Sequence, residues 1–571
     1  MKVTPTRHNL AFKQADFATL ADALDYAARG ETGCNFYTAS GKLEFVISYS
    51  QLQQQAKALA AKLHALLPER EGRVAIIAET DPDFHRVFFA SQYAGLIPCA
   101  LPALMQLGGI EAYVSQLKRL LETSGAKIAI TSERYLPLLE QASEGLGLVF
   151  VGTVETCLAS AKSSSNLKSL QANELAYLQF TSGSTQFPRG VTITQSQAMH
   201  NLKNISGPGA NMGPGDRCVS WLPFYHDMGL VGLVLVPLAT QISVDYLSPL
   251  EFAKRPRRWL RLLSENAGTI SFSPPFGYEL CVRHLREGEA GRYDLSHWRL
   301  AGCGAELIRP QPLAKFAKAL EPAKFNPKAF VAAYGLAECT LAVSFAPLNC
   351  GIETDDIDAS TLAEQHKALL ISGPIDLDKI KHFVKCGHPL PGYEIEVRDE
   401  TGHALSQRQC GHIYLRSPSV MQGYYNDPET TERTLSRDGW LNTGDIGYLT
   451  EDNTIVVTGR HKDMMIINGR NIWPQDLEFL AEQFPEVKLG NASAFSITTQ
   501  LGKEQVVLMV QTREQDIAKR SELSKRLQDQ IHAAHGIQCV IDLVPPRTLC
   551  RTTSGKLSRS ATRNVYLKRQ A

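Results

Sequence analysis

Arg73-Val-Ala-Ile-Ile-Ala78 is the stretch on which the fold turns. Val74, Ile76 and Ile77 are β-branched, and no polar residue alternates with the apolar ones. Such a run reads as a strand buried on both faces. Before it, Leu52, Ala56, Leu59, Ala60, Leu63 and Leu66 recur mostly at spacings of three and four, one face of a helix. After it, Asp83–Leu96 is expected as a helix, and Lys127–Thr131 and Leu148–Val151 as strands. A βαβα rhythm implies a largely parallel sheet with helices packed on it.

Farther out, Ala159–Ser169 is rich in Ser and Lys and reads as a surface loop. Met228–Thr240 is apolar but short and carries Gly229, Gly232 and Pro237, which suits a buried helix or strand–loop segment. From about Cys386 the pattern changes to short alternating strands such as Gly411–Arg416. Thr454–Thr458 and Met464–Ile467 read as strands flanking Gly459-Arg-His-Lys-Asp463. Pro474-Gln-Asp-Leu-Glu478 opens a helix, since Pro and acids favour a helix N-terminus. Beyond it a strand at Gln505–Gln511, a helix at Asp516–Ala534 and a strand at Gln538–Leu543 form a small α+β unit. The expected fold class is α/β. A large N-terminal domain, residues 1–459, stacks mostly parallel sheets with helices and includes a small β-barrel subdomain over about 386–459. A hinge at 460–463 leads to a small mobile α+β C-terminal domain, residues 464–571.

The 571 residues suffice for about three or four structural units. Hydrophobic residues make up 44% and charged residues 20%, ordinary values for a soluble globular chain. With 59 Lys+Arg against 58 Asp+Glu, net charge gives no reason to expect nucleic acid or an anionic membrane surface. The 12 cysteines form no CxxC pair, and the start lacks the apolar core of a secretory signal. No stretch reaches the roughly 20 apolar residues of a membrane helix. A cytoplasmic protein without membrane insertion is expected.

The strongest chemical signal is Leu178-Gln-Phe-Thr-Ser-Gly-Ser-Thr-Gln-Phe-Pro-Arg-Gly190. Thr181, Ser182, Gly183, Ser184 and Thr185 offer hydroxyls and backbone N–H groups to phosphate oxygens, and Arg189 offers a charged fork. A Walker P-loop is excluded because GxxxxGK[ST] is absent. The following Gly190-Val-Thr-Ile-Thr194 reads as a strand, so the loop joins two strands. On composition alone a Ser/Gly surface loop fits equally well.

This loop resembles the [ST]SG[ST]TGxPKG signature of the adenylate-forming superfamily: acyl-CoA synthetases, luciferases and nonribosomal peptide adenylation domains. Gln186 replaces a usual Gly and Arg189 a usual Lys. Tyr334-Gly-Leu-Ala-Glu338 is similar to the family's YGxTE motif. The resemblance implies adenine stacking by Tyr334, with Gly335 and Leu336 beside it, and an Mg²⁺ ligand in Glu338, joined by Thr181. Gly302-Cys-Gly-Ala-Glu306 resembles the segment whose Gly304, Ala305 and Glu306 line the adenine. In Trp440–Asp445, Asp445 matches the acid that grips the ribose, and Arg460 the arginine that meets it. Lys462 and Asp463 fall on the family's hinge. Arg551-Thr-Thr-Ser-Gly-Lys556 resembles PxTxSGK, whose lysine enters the active site. Read singly, Tyr334 suits a core aromatic, Glu338 a surface acid and Lys556 a solvated tail charge. Their shared order with the loop makes them one ATP site.

Trp221-Leu-Pro-Phe-Tyr-His-Asp-Met-Gly-Leu230 resembles the WLPxxHDMGL segment of fatty acyl-AMP ligases, and Gly469-Arg-Asn-Ile-Trp-Pro-Gln-Asp476 their GRNxxPQD. The implied function is activation of a fatty acid by ATP and Mg²⁺ for an acyl carrier protein bearing phosphopantetheine. His226 is expected where the carboxylate arrives, with Asp227 tying down the imidazole; a structural histidine is the other reading. Ile352–Val384 matches the place of an insertion that in this branch restrains the C-terminal domain and disfavours coenzyme A. An acyl-CoA synthetase shares the first step and is the nearest alternative. An amino-acid adenylation enzyme and a nucleotide-binding protein with a degenerate site are more distant ones.

Overall fold

The computed structural model describes residues 2–6, 10–104, 109–160, 163–181, 188–371, 380–467, 470–488, 490–498, 504–552 and 556–570. The opening strand forms as Arg73–Ile77, buried from Val74 onward. It lies inside a six-stranded sheet whose order is Phe150–Gly152, Ile128–Ile130, Arg73–Ile77, Ile97–Leu101, Leu175–Phe180, Gly190–Thr194. All pairings there are parallel except the last. A second sheet has nine strands, with Gly33–Tyr37, Ser243–Leu247, Arg217–Ser220, Ile270–Ser273, Leu300–Cys303 and Phe330–Gly335 running parallel through its middle.

Helix Pro82–Ala94 joins the two sheets. Asp81 caps its first turn, Pro82 occupies the first position, and Gly95 ends it in the left-handed region at φ 73°. It is buried almost all round because it packs between layers. Phe84 and His85 reach Phe224, and His85 also meets Phe36 and Tyr246 of the nine-stranded sheet, at ring separations of 5.1–5.6 Å. Its other side lies on helix Tyr49–Leu66, which opens with a reciprocal Ser48–Gln51 capping box. Between the strands, Arg217 forks Asp245 with two bonds of 2.6 Å, at 4% and 0% side-chain exposure.

The β-rich part is a four-stranded antiparallel sheet, Glu394–Arg398, Gly411–Arg416, Leu441–Leu449 and Ile455–Arg460. No ladder joins its outer strands among the described residues, so it is an open sheet and not the expected barrel. It starts later than expected, because His388–Pro389 still pairs with the nine-stranded sheet. Within the expected insertion, Thr354–Asp358 pairs antiparallel with Ile380–Val384. Ile357, Leu362 and Phe383 pack against Tyr448 and Val456 of the open sheet.

Beyond Met465 the chain has apolar clusters of its own, among them Leu477, Leu508, Leu523 and Ile531. A three-stranded sheet, Ala492–Thr498, Glu504–Gln511 and Cys539–Val544, carries helices Pro474–Glu482, Ile517–His535 and Arg559–Gln570. Polar ties join this unit to the rest. Arg309 pairs with Glu482 and Lys381 with Asp476, each at 2.7 Å, and the Gln475 amide donates to Thr458 O at 3.0 Å.

Candidate active site

Leu175–Phe180 and Gly190–Thr194 are antiparallel neighbours, so the chain between them returns at the C-terminal edge of the sheet. Its mouth is pinned: Thr181 N–H donates to Arg189 O at 3.0 Å, and Arg189 N–H donates to Thr181 Oγ1 at 3.3 Å. Ser182, Gly183, Ser184, Thr185 and Gln186 lie outside the described residues. The Arg189 guanidinium stands 3.3 Å from Asp427 and over the Tyr424 ring.

Thr181, Arg189 and Tyr424 line a cleft of about 360 Å³. Its lining is part polar, with Glu338, Arg460, Lys462 and Lys556 among others, and part apolar, with Ile205, Met228, Phe272, Leu341, Ala342 and Phe345. Two helices widen into π-helical turns where they reach this cleft. Gln195–Asn204 runs into Ile205–Gly209, and Asp227–Leu230 into Val231–Leu235; Ile205 and Gly232 from these turns line the cleft.

His226 caps the short helix Asp227–Leu230. Its Nδ1 lies 2.7 Å from Asp227 Oδ1, which also accepts Met228 N–H at 2.7 Å. Burial pushes the Asp227 carboxyl up, but the His226 imidazole and, farther off, Lys556 outweigh it and hold the acid below its usual range. Gly229 is required here, since a Cβ would stand 2.1 Å from Pro223 O.

Tyr334 is the penultimate residue of strand Phe330–Gly335, and its hydroxyl donates to Asp445 at 2.8 Å. Asp445 also pairs with Arg460 at 3.1 Å, its partner across two antiparallel strands. At Gly335 a Cβ would meet Leu341 O at 1.9 Å, so the chain can reverse there only with glycine. Leu336, Gly304 and Ala305 line the same cleft, Ala305 with φ 71°. Glu338 accepts the Tyr424 hydroxyl at 2.8 Å, and burial with that neighbouring carboxylate raises the phenol pKa.

Glu306, expected beside the adenine, lines a second cavity of about 340 Å³, as do Asp445 and Asp463. Ala305, Ala333, Tyr334, Gly335, Arg460 and Lys556 line both cavities. Lys462 and Asp463 sit on the single turn His461–Asp463. Asp463 pairs with Arg559 at 2.8 Å, and Arg559 also forks Glu478 at 2.7 Å. Lys556 closes a tight hairpin: Thr552 N–H donates to Lys556 O at 2.7 Å, and Lys556 N–H to Thr552 Oγ1 at 3.2 Å. Burial lowers the Lys556 pKa, opposed by Asp227 and Glu306.

Sequence reading missed Tyr424, Arg433, Asn442 and Thr443, which also line the cleft. The Tyr424–Tyr425 pair beside Gly423 was the available signal. No group of three or more His, Cys, Asp or Glu able to hold a metal is present among the described residues. No described helix is long and apolar enough to cross a membrane.

The family model for AMP-binding enzymes matches residues 36–425. A Caulobacter vibrioides protein provisionally named an acyl-CoA synthetase is 41% identical over 99% of this chain and 98% of its own length. The medium-chain-fatty-acid–[acyl-carrier-protein] ligase JamA of Moorena producens is 29% identical over 97% of this chain and 96% of its own. A solved structure from work on fatty acyl-adenylate ligases of E. coli and L. pneumophila superposes with a TM-score of 0.93 and 43% identity, covering 98% of this chain and all of that one. The chain is a member of the AMP-binding enzyme family, an adenylate-forming ligase.

Proposed function

We propose that the chain activates a fatty acid with ATP as an acyl-adenylate and passes the acyl group to the phosphopantetheine thiol of an acyl carrier protein. The observation that carries the first step is one cleft whose lining combines cationic and polar groups with an apolar set. Triphosphate and carboxylate suit the first set and an alkyl chain the second.

A carboxylate oxygen attacks the α-phosphorus, the bond to the β-phosphate oxygen breaks, and pyrophosphate leaves. Arg189 and Lys556 stabilise the negative charge that shifts during this displacement. Tyr334 faces the adenine, and Asp445 with Arg460 holds the ribose hydroxyls. His226, oriented by Asp227, hydrogen-bonds the incoming carboxylate. A lone carboxylate with hydroxyls nearby fits Mg²⁺, which keeps most of its waters and binds largely through phosphates. Glu338 and Thr181 would hold it, and it would neutralise phosphate charge. In the second step the thiol sulfur attacks the acyl carbon, its proton goes to solvent, and AMP departs. Rotation of the small domain, residues 464–571, about Lys462–Asp463 exchanges the lysine hairpin for another face.

Two observations support the carrier over coenzyme A. The hairpin Thr354–Asp358/Ile380–Val384 packs on the open sheet and reaches the small domain through Lys381–Asp476. JamA, matched over nearly its whole length, is named for a carrier-protein acceptor. The coenzyme A alternative is kept open by the name of the C. vibrioides relative. The test offers fatty acids and ATP with coenzyme A or with a holo carrier protein, and reads products by mass spectrometry. Acyl carrier without acyl-CoA supports the proposal, and abundant acyl-CoA refutes the acceptor. Lys556→Ala should cut pyrophosphate exchange by about a thousandfold; exchange at the wild-type rate would refute the mechanism.

A further inference from the structure

We infer that Arg559 is a positioning residue for adenylate formation: by bridging Glu478 of the small domain to Asp463 of the hinge it latches the lysine hairpin into the cleft, and the latch opens before acyl transfer. The inference rests on the adenylating reading of the cleft and adds the group that keeps Lys556 there.

The latch is built from direct bonds. Arg559 Nε and Nη2 donate to the two oxygens of Glu478, each at 2.7 Å, and Nη1 donates to Asp463 Oδ2 at 2.8 Å. Glu478, on helix Pro474–Glu482, is fixed in turn by accepting Ala494 N–H at 3.1 Å. One edge of the planar guanidinium is taken by Glu478, so Nη1 is aimed in one direction, toward the hinge. Arg559 and Asp463 expose 24% and 18% of their side chains and Glu478 4%, so salt screens these pairs little.

Each end of the latch is attached to a part that places the lysine. Arg559 opens helix Arg559–Gln570, three residues after Lys556. The hairpin is paired back onto that helix start: Ser558 N–H donates to Cys550 O at 2.9 Å, Arg551 and Leu557 form a bridge, and Cys550 N–H donates to Thr562 Oγ1 at 3.0 Å. Hairpin, helix start and guanidinium therefore move as one. Asp463 ends the turn that follows strand Ile455–Arg460, and His461 of that turn lies 4.6 Å, ring to ring, from His412 of the open sheet. The large domain thus carries the turn, and the small domain starts beyond Asp463. Rotation at this point takes Arg559 and Glu478 away together and leaves Asp463 behind.

The experiment uses the full chain with Asp463→Asn, Arg559→Lys and the double variant. Asp463→Asn removes the hinge charge and spares the Glu478 fork. Arg559→Lys keeps a cation for Glu478 but cannot hold both acids at once. Pyrophosphate release from ATP with dodecanoic acid should fall about tenfold in kcat in each variant, with KM for both substrates unchanged. Transfer from synthetic dodecanoyl-adenylate, with holo carrier protein and coenzyme A each offered as acceptor, should run at least as fast as in wild type. The double variant should be no slower than either single one, since both break the same bond. Acetic anhydride labelling of Lys556, read by mass spectrometry of its peptide, should rise about threefold as the hairpin leaves the cleft. An equal fall in both half-reactions would make the contact merely structural and overturn the inference. So would losses that multiply in the double variant, or unchanged labelling of Lys556. If the wild-type chain forms no adenylate from any carboxylic acid, the proposed function fails, while the labelling still decides whether Arg559 holds the hairpin.

Discussion

Tyr334 and Asp445 lie 111 residues apart in the chain and are joined by one hydrogen bond of 2.8 Å. It ties the end of a nine-stranded-sheet strand to the open β sheet, and Asp445 passes the connection on to Arg460 at 3.1 Å. Asp445→Asn keeps the shape but removes the charge that Arg460 faces. It should lower kcat/KM for ATP by roughly 10- to 100-fold while leaving KM for the acid little changed. Tyr334→Phe should have a smaller effect in the same direction. Steady-state kinetics with each substrate varied in turn checks both.

The Arg217–Asp245 pair should act on stability and not on chemistry. Both groups are buried between parallel strands, and Arg217 also donates to Thr4 O at 2.8 Å. Asp245→Ala leaves the guanidinium buried without its counter-charge, at a cost of about 3–5 kcal/mol. Replacing both residues by apolar ones of similar volume should cost much less. Urea unfolding of the single and double variants separates the two cases.

Asp81 should give stability an acid-dependent slope. Burial, reinforced by the Glu79 carboxylate, pushes it up to about 7, even as it caps helix Pro82–Ala94 through Phe84 N–H at 3.0 Å. An acid whose folded pKa lies above its unfolded value keeps its proton longer in the folded state. Its contribution to stability therefore falls as pH rises from about 4 to about 7, and is constant above that. Asp81→Asn preserves a capping acceptor and does not titrate. The variant should match wild type near pH 4 and exceed it by about 1–3 kcal/mol near pH 8. Denaturant titrations at the two pH values test this.

Gly229→Ala would place a methyl group 2.1 Å from Pro223 O, so helix Asp227–Leu230 must shift. That helix carries the His226–Asp227 contact into the cleft. Pyrophosphate release should drop by at least about tenfold, with a loss of roughly 1–3 kcal/mol in stability. The same substitution at Gly213, where a Cβ meets nothing within 4 Å, serves as the control.

What could be read from the sequence depended on whether one residue pattern admitted one physical reading. Arg73–Ile77 and Tyr49–Leu66 were legible because their apolar spacing has a single period. Strands Arg217–Ser220 and Ser243–Leu247 were not, because a buried Arg and Asp break the apolar run that marks such strands, and their mutual pairing is visible only in three dimensions. The strand pair Thr354–Asp358 and Ile380–Val384 was foreshadowed by the charge and β-forming residues of Ile352–Val384. The open form of the β sheet was not, since closure depends on pairing between edges. In the candidate site, Arg189, Tyr334, Glu338 and Lys556 could be named from short motifs. Tyr424 and the apolar lining could not, because an aromatic or aliphatic residue at a wall resembles one in a core.

The two π-helical turns carry a consequence for how such a cleft can change. A π turn is an α-helix with one additional residue, and each residue in a helix accounts for about 100° of rotation. Deleting one residue within Ile205–Gly209 or Val231–Leu235 would let the helix close up and swing every later side chain round by that angle. Residues after the deletion that now line the cleft would then turn toward the packed interior, and their neighbours would face the cleft. The length of acid that fits could thus be altered by a single-codon loss far from any group that touches ATP, with the chemistry left intact.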